Sequence, residues 1–143
     1  MPLLPVIRRK TLSGKVYSLS IHTGDKFGAG TDANVRVELM GENGASGEEL
    51  METSGDGRFE KNCVDECSLR CPDLGVLHSM RVSQDGKGMG SGWYLHKVVV
   101  AVAPTRVSAG KSYEFICDKW LDDGKGKART VELTATAPPS DLE

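Results

Sequence analysis

The sequence predicts an all-β protein built as an antiparallel β-sandwich. Helical periodicity is nearly absent, whereas apolar and polar residues alternate in short stretches along most of the 143 residues. Loops rich in glycine, aspartate, asparagine and serine separate these stretches. The loops are too short to hold crossover helices, so neighbouring strands are expected to pair antiparallel.

Eight stretches carry the strand pattern. They are, in chain order, residues 16–22, 33–40, 48–53, 64–71, 77–84, 93–102, 113–117 and 130–135. The third is short and weak, and the sixth is apolar enough to predict a central strand. Since alternate side chains on a strand share one face, each stretch presents a set of core candidates. These are Tyr17, Leu19 and Ile21; Val35, Val37 and Leu39; Cys67, Leu69 and Cys71; Met80 and Val82; Tyr113, Phe115 and Cys117; and Val131, Leu133 and Ala135.

The length of the chain suits one domain. We expect a sandwich over residues 14–136, a flexible N-terminal segment over residues 1–13 and a disordered tail over residues 137–143, which contains two prolines and ends acidic. The formal net charge of −2 offers no basic field for nucleic acid. No stretch is long and apolar enough to span a bilayer.

The first ten residues do not have the order of a signal peptide, because a short apolar run broken by two prolines precedes the basic cluster. We therefore expect a cytoplasmic chain, although this absence would mean nothing in a domain cut from a longer protein. No Gly-x-Ser-x-Gly elbow, phosphate loop or His-Glu-x-x-His motif is present, so the sequence predicts no enzyme.

The four cysteines are Cys63, Cys67, Cys71 and Cys117, and none forms a Cys-x-x-Cys pair. That spacing argues against a zinc knuckle. Cys67 and Cys71 share one face of a predicted strand, which favours a role as small core residues over a metal or redox role.

Three segments together resemble one family. Residues 17–35 end a strand in Thr-Gly and begin the next through Gly-Ala-Gly-Thr-Asp-Ala-Asn; residues 85–95 join a glycine-rich loop to Trp-Tyr-Leu; residues 115–124 read Phe-Ile-Cys-Asp-Lys-Trp-Leu-Asp-Asp-Gly. In this order and spacing they are similar to the PLAT (lipoxygenase-homology, LH2) domains of lipoxygenases, animal lipases, polycystin-like proteins and clostridial α-toxin. The resemblance implies two four-stranded antiparallel sheets, similar in shape to C2 domains, and docking onto membranes or proteins.

The resemblance also implies a calcium site between two loops at one end of the sandwich. The implied ligands are the backbone oxygens of Gly30 and Thr31 with the carboxylates of Asp32 and Asp85. Oxygen ligands of both kinds suit Ca²⁺. Alternatively, both aspartates accept hydrogen bonds from backbone N–H groups and cap their own loops. This chain has Ser91-Gly92 where some lipoxygenases place a further acid.

A second family site follows the third strand, where Asp56 and Glu60 match its acidic positions loosely. His96 is another departure, since many members carry an acid there. A histidine could titrate near neutral pH, or it could be an ordinary surface or packed residue. His22 and His78 have no evident partners in the sequence.

The positions at which lipoxygenases insert aromatic residues into membranes correspond to Phe27, Met89 and Trp120. Aromatic rings suit the bilayer interface. Alternatively, Phe27 covers the end of the sandwich and Trp120 packs under its own loop. Trp93, which opens a core strand, is expected in the core.

The resulting prediction is a calcium-assisted module that associates peripherally with a membrane lipid surface. Two alternatives stay open: a scaffold that binds a protein partner, and the regulatory domain of a lipase or lipoxygenase-type parent protein.

Overall fold

The computed structural model contains strands and loops in the residues that it describes, which are 14–52, 59–87, 92–104, 106, 109–122, 128–136 and 140–141. The strands form two antiparallel sheets. This confirms the predicted all-β sandwich. The strands are β1 (Lys15–Thr23), β2 (Val35–Gly41), β3 (Gly44–Ala45), β4 (Glu49–Leu50), β5 (Val64–Cys71), β6 (Leu77–Gln84), β7 (Trp93–Val102), β8 (Lys111–Leu121), β9 (Thr130–Thr134) and β10 (Ser140–Asp141).

The first sheet has the order β10-β8-β7-β1-β5. Its four long strands correspond to the expected four-stranded sheet, and β7, predicted to be central, lies in the middle. The two-residue β10 extends this sheet through the pairs Ser140–Ser112 and Asp141–Lys111. These two residues lie in the segment predicted to be a disordered tail, and the rest of that segment and residues 1–13 lie outside the described residues.

The second sheet has the order β3-β2-β6-β9, with β4 also paired to β2. The strand predicted over residues 48–53 is reduced to Glu49–Leu50, beside the equally short β3. Ser46 explains this interruption, because its hydroxyl accepts the Leu39 N–H (2.9 Å) where a regular strand would present a carbonyl. Gly47 then turns the chain with a φ of 83°, which is a glycine-favouring conformation.

The core lies between the sheets and consists of the inward residues of each long strand. The predicted inward faces of β1 and β2 are fully buried, as are Trp93 and Phe115. Cys67 and Cys71 are also buried and free of disulfides, which confirms their interpretation as small core residues. No helix in the described part of the chain is long and apolar enough to cross a membrane.

The two ends of the sandwich are distinct. At one end, called the loop pole here, β1 ends at Thr23, β2 begins at Val35 and β7 begins at Trp93. At the opposite end, the far pole, β1 begins at Lys15 and β7 ends at Val102, which pairs with Lys111.

The far pole is closed by a buried hydrogen bond. The Leu74 N–H donates to the Tyr17 hydroxyl over 2.9 Å, and Tyr17 is only 1% exposed. This bond ties the β5–β6 connection to β1. The β1–β2 loop and the described residues 85–87 of the second glycine-rich segment lie at the other end, so the loop pole holds the candidate site.

Candidate functional site

Backbone hydrogen bonds hold the connections of the loop pole together. The Gly24 N–H donates to the Tyr94 carbonyl (2.9 Å), and the Tyr94 N–H donates to the Ala29 carbonyl (3.0 Å). The Asn62 N–H donates to the Gly24 carbonyl (3.0 Å). The β1–β2 loop is therefore fixed to β7 on one side and to the segment before β5 on the other.

Trp93 forms the floor of this pole. Its side chain is fully buried, as expected from the sequence, and its indole N–H donates to the Thr23 hydroxyl over 2.9 Å. The Phe59 ring, also fully buried, packs at a centroid distance of 5.5 Å. Because a buried indole N–H needs an acceptor, Thr23 fixes the orientation of the ring on which the loops rest.

The calcium ligands predicted in the β1–β2 loop are consecutive residues, and Thr31 among them is hydrogen-bonded to the backbone of Phe59. The Thr31 N–H donates to the Phe59 carbonyl (3.1 Å), and its buried hydroxyl accepts the Ala33 N–H (3.1 Å). The Asp32 side chain that lies between them is exposed to solvent. Thr31 therefore caps the turn, and the Asp32 carboxylate is accessible from solvent.

Gly30 brings a second acid to the same loop. A Cβ atom at Gly30 would lie 3.0 Å from the Phe59 carbonyl oxygen and 3.3 Å from Glu60 Oε2, so the absence of a side chain permits this close approach. The family resemblance matches Glu60 to a second site with Asp56, and Asp56 lies outside the described residues. The structure brings Glu60 next to the first loop. The sequence did not reveal this contact, because Gly30 and Glu60 are far apart along the chain.

Asp85 acts as a clamp between the two loops. Its carboxylate accepts hydrogen bonds from the Asn34 N–H (3.1 Å), the Asn34 side-chain amide (2.7 Å) and the Lys87 N–H (3.0 Å). These bonds, the one from Lys87 foremost, lower the pKa of Asp85 to about 2. Capping by backbone N–H groups, the alternative considered for both aspartates, is thus present at Asp85. The clamp also places Asp85 beside the loop of Asp32, because Asn34 is only two residues away.

The side chains expected to contact membrane differ in exposure. Phe27 is 97% exposed and does not cover the end of the sandwich. Trp120 is half-buried and packs edge-to-face against Tyr94, with ring centroids 5.4 Å apart. The Lys26 ammonium lies 5.0 Å from the centroid of the Tyr94 ring. Met89 lies outside the described residues.

Tyr94 is the member of this surface that the sequence reasoning missed. Its signal was present, because strand alternation turns Tyr94 outward when Trp93 faces the core. Its pairing with Trp120, by contrast, depends on the adjacency of β7 and β8, which the sequence does not state.

The chemistry of the loop pole suits a hard cation more than a transition metal. Backbone carbonyls and carboxylates are oxygen donors of the kind that Ca²⁺ takes. Within the described ranges, no three His, Cys, Asp or Glu side chains already lie close enough to hold a metal ion. A calcium ion here would therefore depend on backbone carbonyls, as the glycine-rich loop permits.

Comparisons with known proteins agree on one family. The family model described as PLAT/LH2 domain matches residues 17–134. Lipoxygenase homology domain-containing protein 1 of Mus musculus is 36% identical over 132 residues, which cover 85% of this chain and 6% of that protein. The polycystin family receptor for egg jelly of Mus musculus is 31% identical over 124 residues, covering 86% of this chain and 6% of that protein.

The fold is also similar to a solved structure of coral 8R-lipoxygenase. The TM-score is 0.71 at 21% identity, and the match covers 84% of this chain and 17% of that one. That enzyme is described as showing calcium activation via a C2-like domain.

Proposed function

This chain belongs to the PLAT/LH2 domain family, and from that membership we propose that it is a non-catalytic docking module that uses calcium to bind a membrane lipid surface. It spans about 6% of the length of the first curated relatives it matches. The module would therefore act either alone or as the targeting part of a parent protein, with peripheral association on the cytoplasmic side of a membrane.

The observation that carries the proposal is the exposure of Phe27. A phenylalanine that is 97% exposed has no packing role in the isolated domain, and it lies three residues before Gly30 in the same loop. Burying such a side chain in an apolar phase contributes about 1.5–3 kcal/mol. Trp120 and Tyr94 would add amphipathic rings, which favour the bilayer interface.

Calcium would act by changing the charge of this surface. Asp32 belongs to the loop that carries Phe27, and Glu60 lies beside Gly30 of that loop. Negative charge on these carboxylates would repel an anionic headgroup layer. An ion held by the carbonyls of Gly30 and Thr31 and by these two carboxylates would neutralise that charge. Asp85 would hold the loop in place and, since three donors leave acceptor capacity on its oxygens, could contribute a further ligand.

The proposal is tested by sedimentation with anionic vesicles and by calorimetric calcium titration. We expect calcium to increase the vesicle-bound fraction of the wild-type chain, and Asp32→Ala to lose both the calcium heat and the calcium-dependent sedimentation. Asp73→Ala is the matched control, because Asp73 is an exposed carboxylate on the connection that closes the far pole. Equal and negligible vesicle binding with and without calcium would contradict the proposal.

A further inference from the structure

A groove of about 440 Å³ lies beside the loop pole on the outer face of the first sheet. Two of the three histidines of the chain line it, His22 from β1 and His96 from β7, together with Cys63, Tyr94 and Asp118. The calcium and membrane roles proposed above assign no task to these two histidines or to Asp118.

Two adjacent β-bulges shape this groove. Between β1 and β7 the pairs His22–Lys97 and Thr23–Leu95 leave His96 as an extra residue on β7. Between β7 and β8 the register also shifts after Leu95, and the extra residue there is on β8. Bulges re-aim side chains and are frequent at functional sites.

Asp118 occupies the β8 bulge in the left-handed region, with a φ of 49°. That conformation is uncommon for a residue other than glycine, although aspartate and asparagine adopt it more readily than most. Its consequence is that the Asp118 carboxylate points at the His96 ring, with 2.6 Å between Oδ1 and Nδ1.

The hydrogen bond to Asp118 selects the tautomer of the neutral His96 ring. An ionised carboxylate only accepts hydrogen bonds, so Nδ1 carries the proton that is donated to Asp118. The lone pair of the neutral ring is then on Nε2. A carboxylate that accepts the second N–H of an imidazole is the usual outer partner of a metal-bound histidine.

His22 supplies a second imidazole on the neighbouring strand. The centroids of the His22 and His96 rings are 6.3 Å apart. Neutral imidazole is the form that binds zinc, copper and nickel.

We propose that this groove binds a divalent transition-metal ion through the rings of His22 and His96, with Asp118 as the residue that orients His96. Because a metal–nitrogen bond is about 2.0–2.1 Å, two imidazoles on one ion have ring centroids roughly 5–6 Å apart. Rotation of the two side chains would therefore bring their rings into this range, and the 42% exposure of the His96 side chain permits it. No third protein ligand converges in the described part of the chain. Water molecules would complete the shell.

A titration with zinc chloride tests this proposal. Binding is monitored by calorimetry and by the NMR resonances of the ring protons of the three histidines. We expect the His22 and His96 resonances to shift and those of His78 to stay. His22→Gln and His96→Gln should lose zinc binding, and Asp118→Asn should weaken it about tenfold, the lower range for loss of an outer partner. Asparagine tolerates the left-handed backbone at this position, so this variant changes the charge and keeps the bulge.

His78→Gln is the matched control, because His78 is exposed on β6 of the other sheet. An excess of calcium should not displace the zinc, since imidazole ligands favour transition metals. Zinc binding that survives in Cys63→Ser supports the imidazole pair. The proposal is overturned if the double variant His22→Gln/His96→Gln binds zinc as the wild type does, or if Cys63→Ser alone abolishes binding. Thermal unfolding of each variant separates loss of the ligand from loss of the fold.

Discussion

Asp85 shows how one carboxylate can hold two loops that are far apart in sequence. It takes hydrogen bonds from both the backbone and the side chain of Asn34, which begins the approach to β2, and from Lys87 in its own loop. The glycine-rich pattern of both loops was visible in the sequence. The identity of the donors was not, because Asn34 and Asp85 are 51 residues apart and meet only when β2 pairs with β6.

The lowered pKa of Asp85 predicts a dependence of stability on pH. Its pKa falls from 3.8 to about 2 in the folded chain, so the charged form is favoured by folding. This contribution is fully present above pH 3.8 and is lost as the pH falls through about 2. We expect Asp85→Asn to be less stable than the wild type at neutral pH and the difference to shrink below pH 3.8.

Urea unfolding of both proteins across this pH range measures the effect. Asp25→Asn is the matched control, because Asp25 is an exposed acid in the β1–β2 loop at the same pole. If the difference in the free energy of unfolding between the wild type and Asp85→Asn stays constant from neutral to acidic pH, the clamp does not depend on the charge of Asp85.

At the level of strands, the alternating pattern predicted the long elements well and the interruptions poorly. The long strands β1, β2, β5, β6, β7 and β9 begin and end within two residues of their predictions, because each has one buried face. The prediction for β8, 113–117, was too short, since its pattern breaks at the Asp118 bulge while the strand continues to Leu121. In β7 the buried positions change phase between Leu95 and Val98, a signal of the bulge at His96 that was available in the sequence.

Gly41, at the end of β2, yields a prediction about strand packing. A Cβ atom there would lie 2.5 Å from the Leu74 carbonyl oxygen and 2.8 Å from that of Val76. Because both contacts are backbone atoms of the β5–β6 connection, they cannot move independently of the fold. We expect Gly41→Ala to lower the free energy of unfolding by about 1–3 kcal/mol, the usual range for overpacking, as measured by urea unfolding.

Gly24→Ala is the comparison for Gly41→Ala. A Cβ atom at Gly24 would lie 2.5 Å from Tyr94 Cδ1, a side-chain contact that rotation of the ring relieves at the cost of its packing against Trp120. We therefore expect a smaller loss of stability at Gly24. Equal losses in the two variants would contradict the argument that backbone contacts make Gly41 the stricter position.

Across the whole molecule, the resemblance implied that the two glycine-rich loops share one pole, and the Asp85–Asn34 bonds are consistent with that arrangement. Calcium binding by Gly30, Thr31, Asp32 and Asp85 stays a prediction. The sequence could not place Glu60 beside Gly30, nor bring His22, His96 and Asp118 into one groove, because these contacts depend on strand order and on bulges.

The distribution of exposed apolar side chains between the two poles predicts which end of the sandwich meets a membrane. Phe27 is at the loop pole, whereas Val76, an exposed apolar side chain at 45%, lies at the far pole next to the end of β2. The first residue of β1 and the pairing of Asp141 with Lys111 also lie at the far pole. If the loop pole docks, Phe27→Ala should lower partitioning into anionic vesicles in calcium by roughly tenfold or more, from a loss of about 1.5–3 kcal/mol of burial. Val76→Ala, measured by the same sedimentation assay, should bind vesicles as the wild type does. A larger loss of vesicle binding for Val76→Ala than for Phe27→Ala would reverse the orientation. Equal losses would remove the argument for a preferred pole.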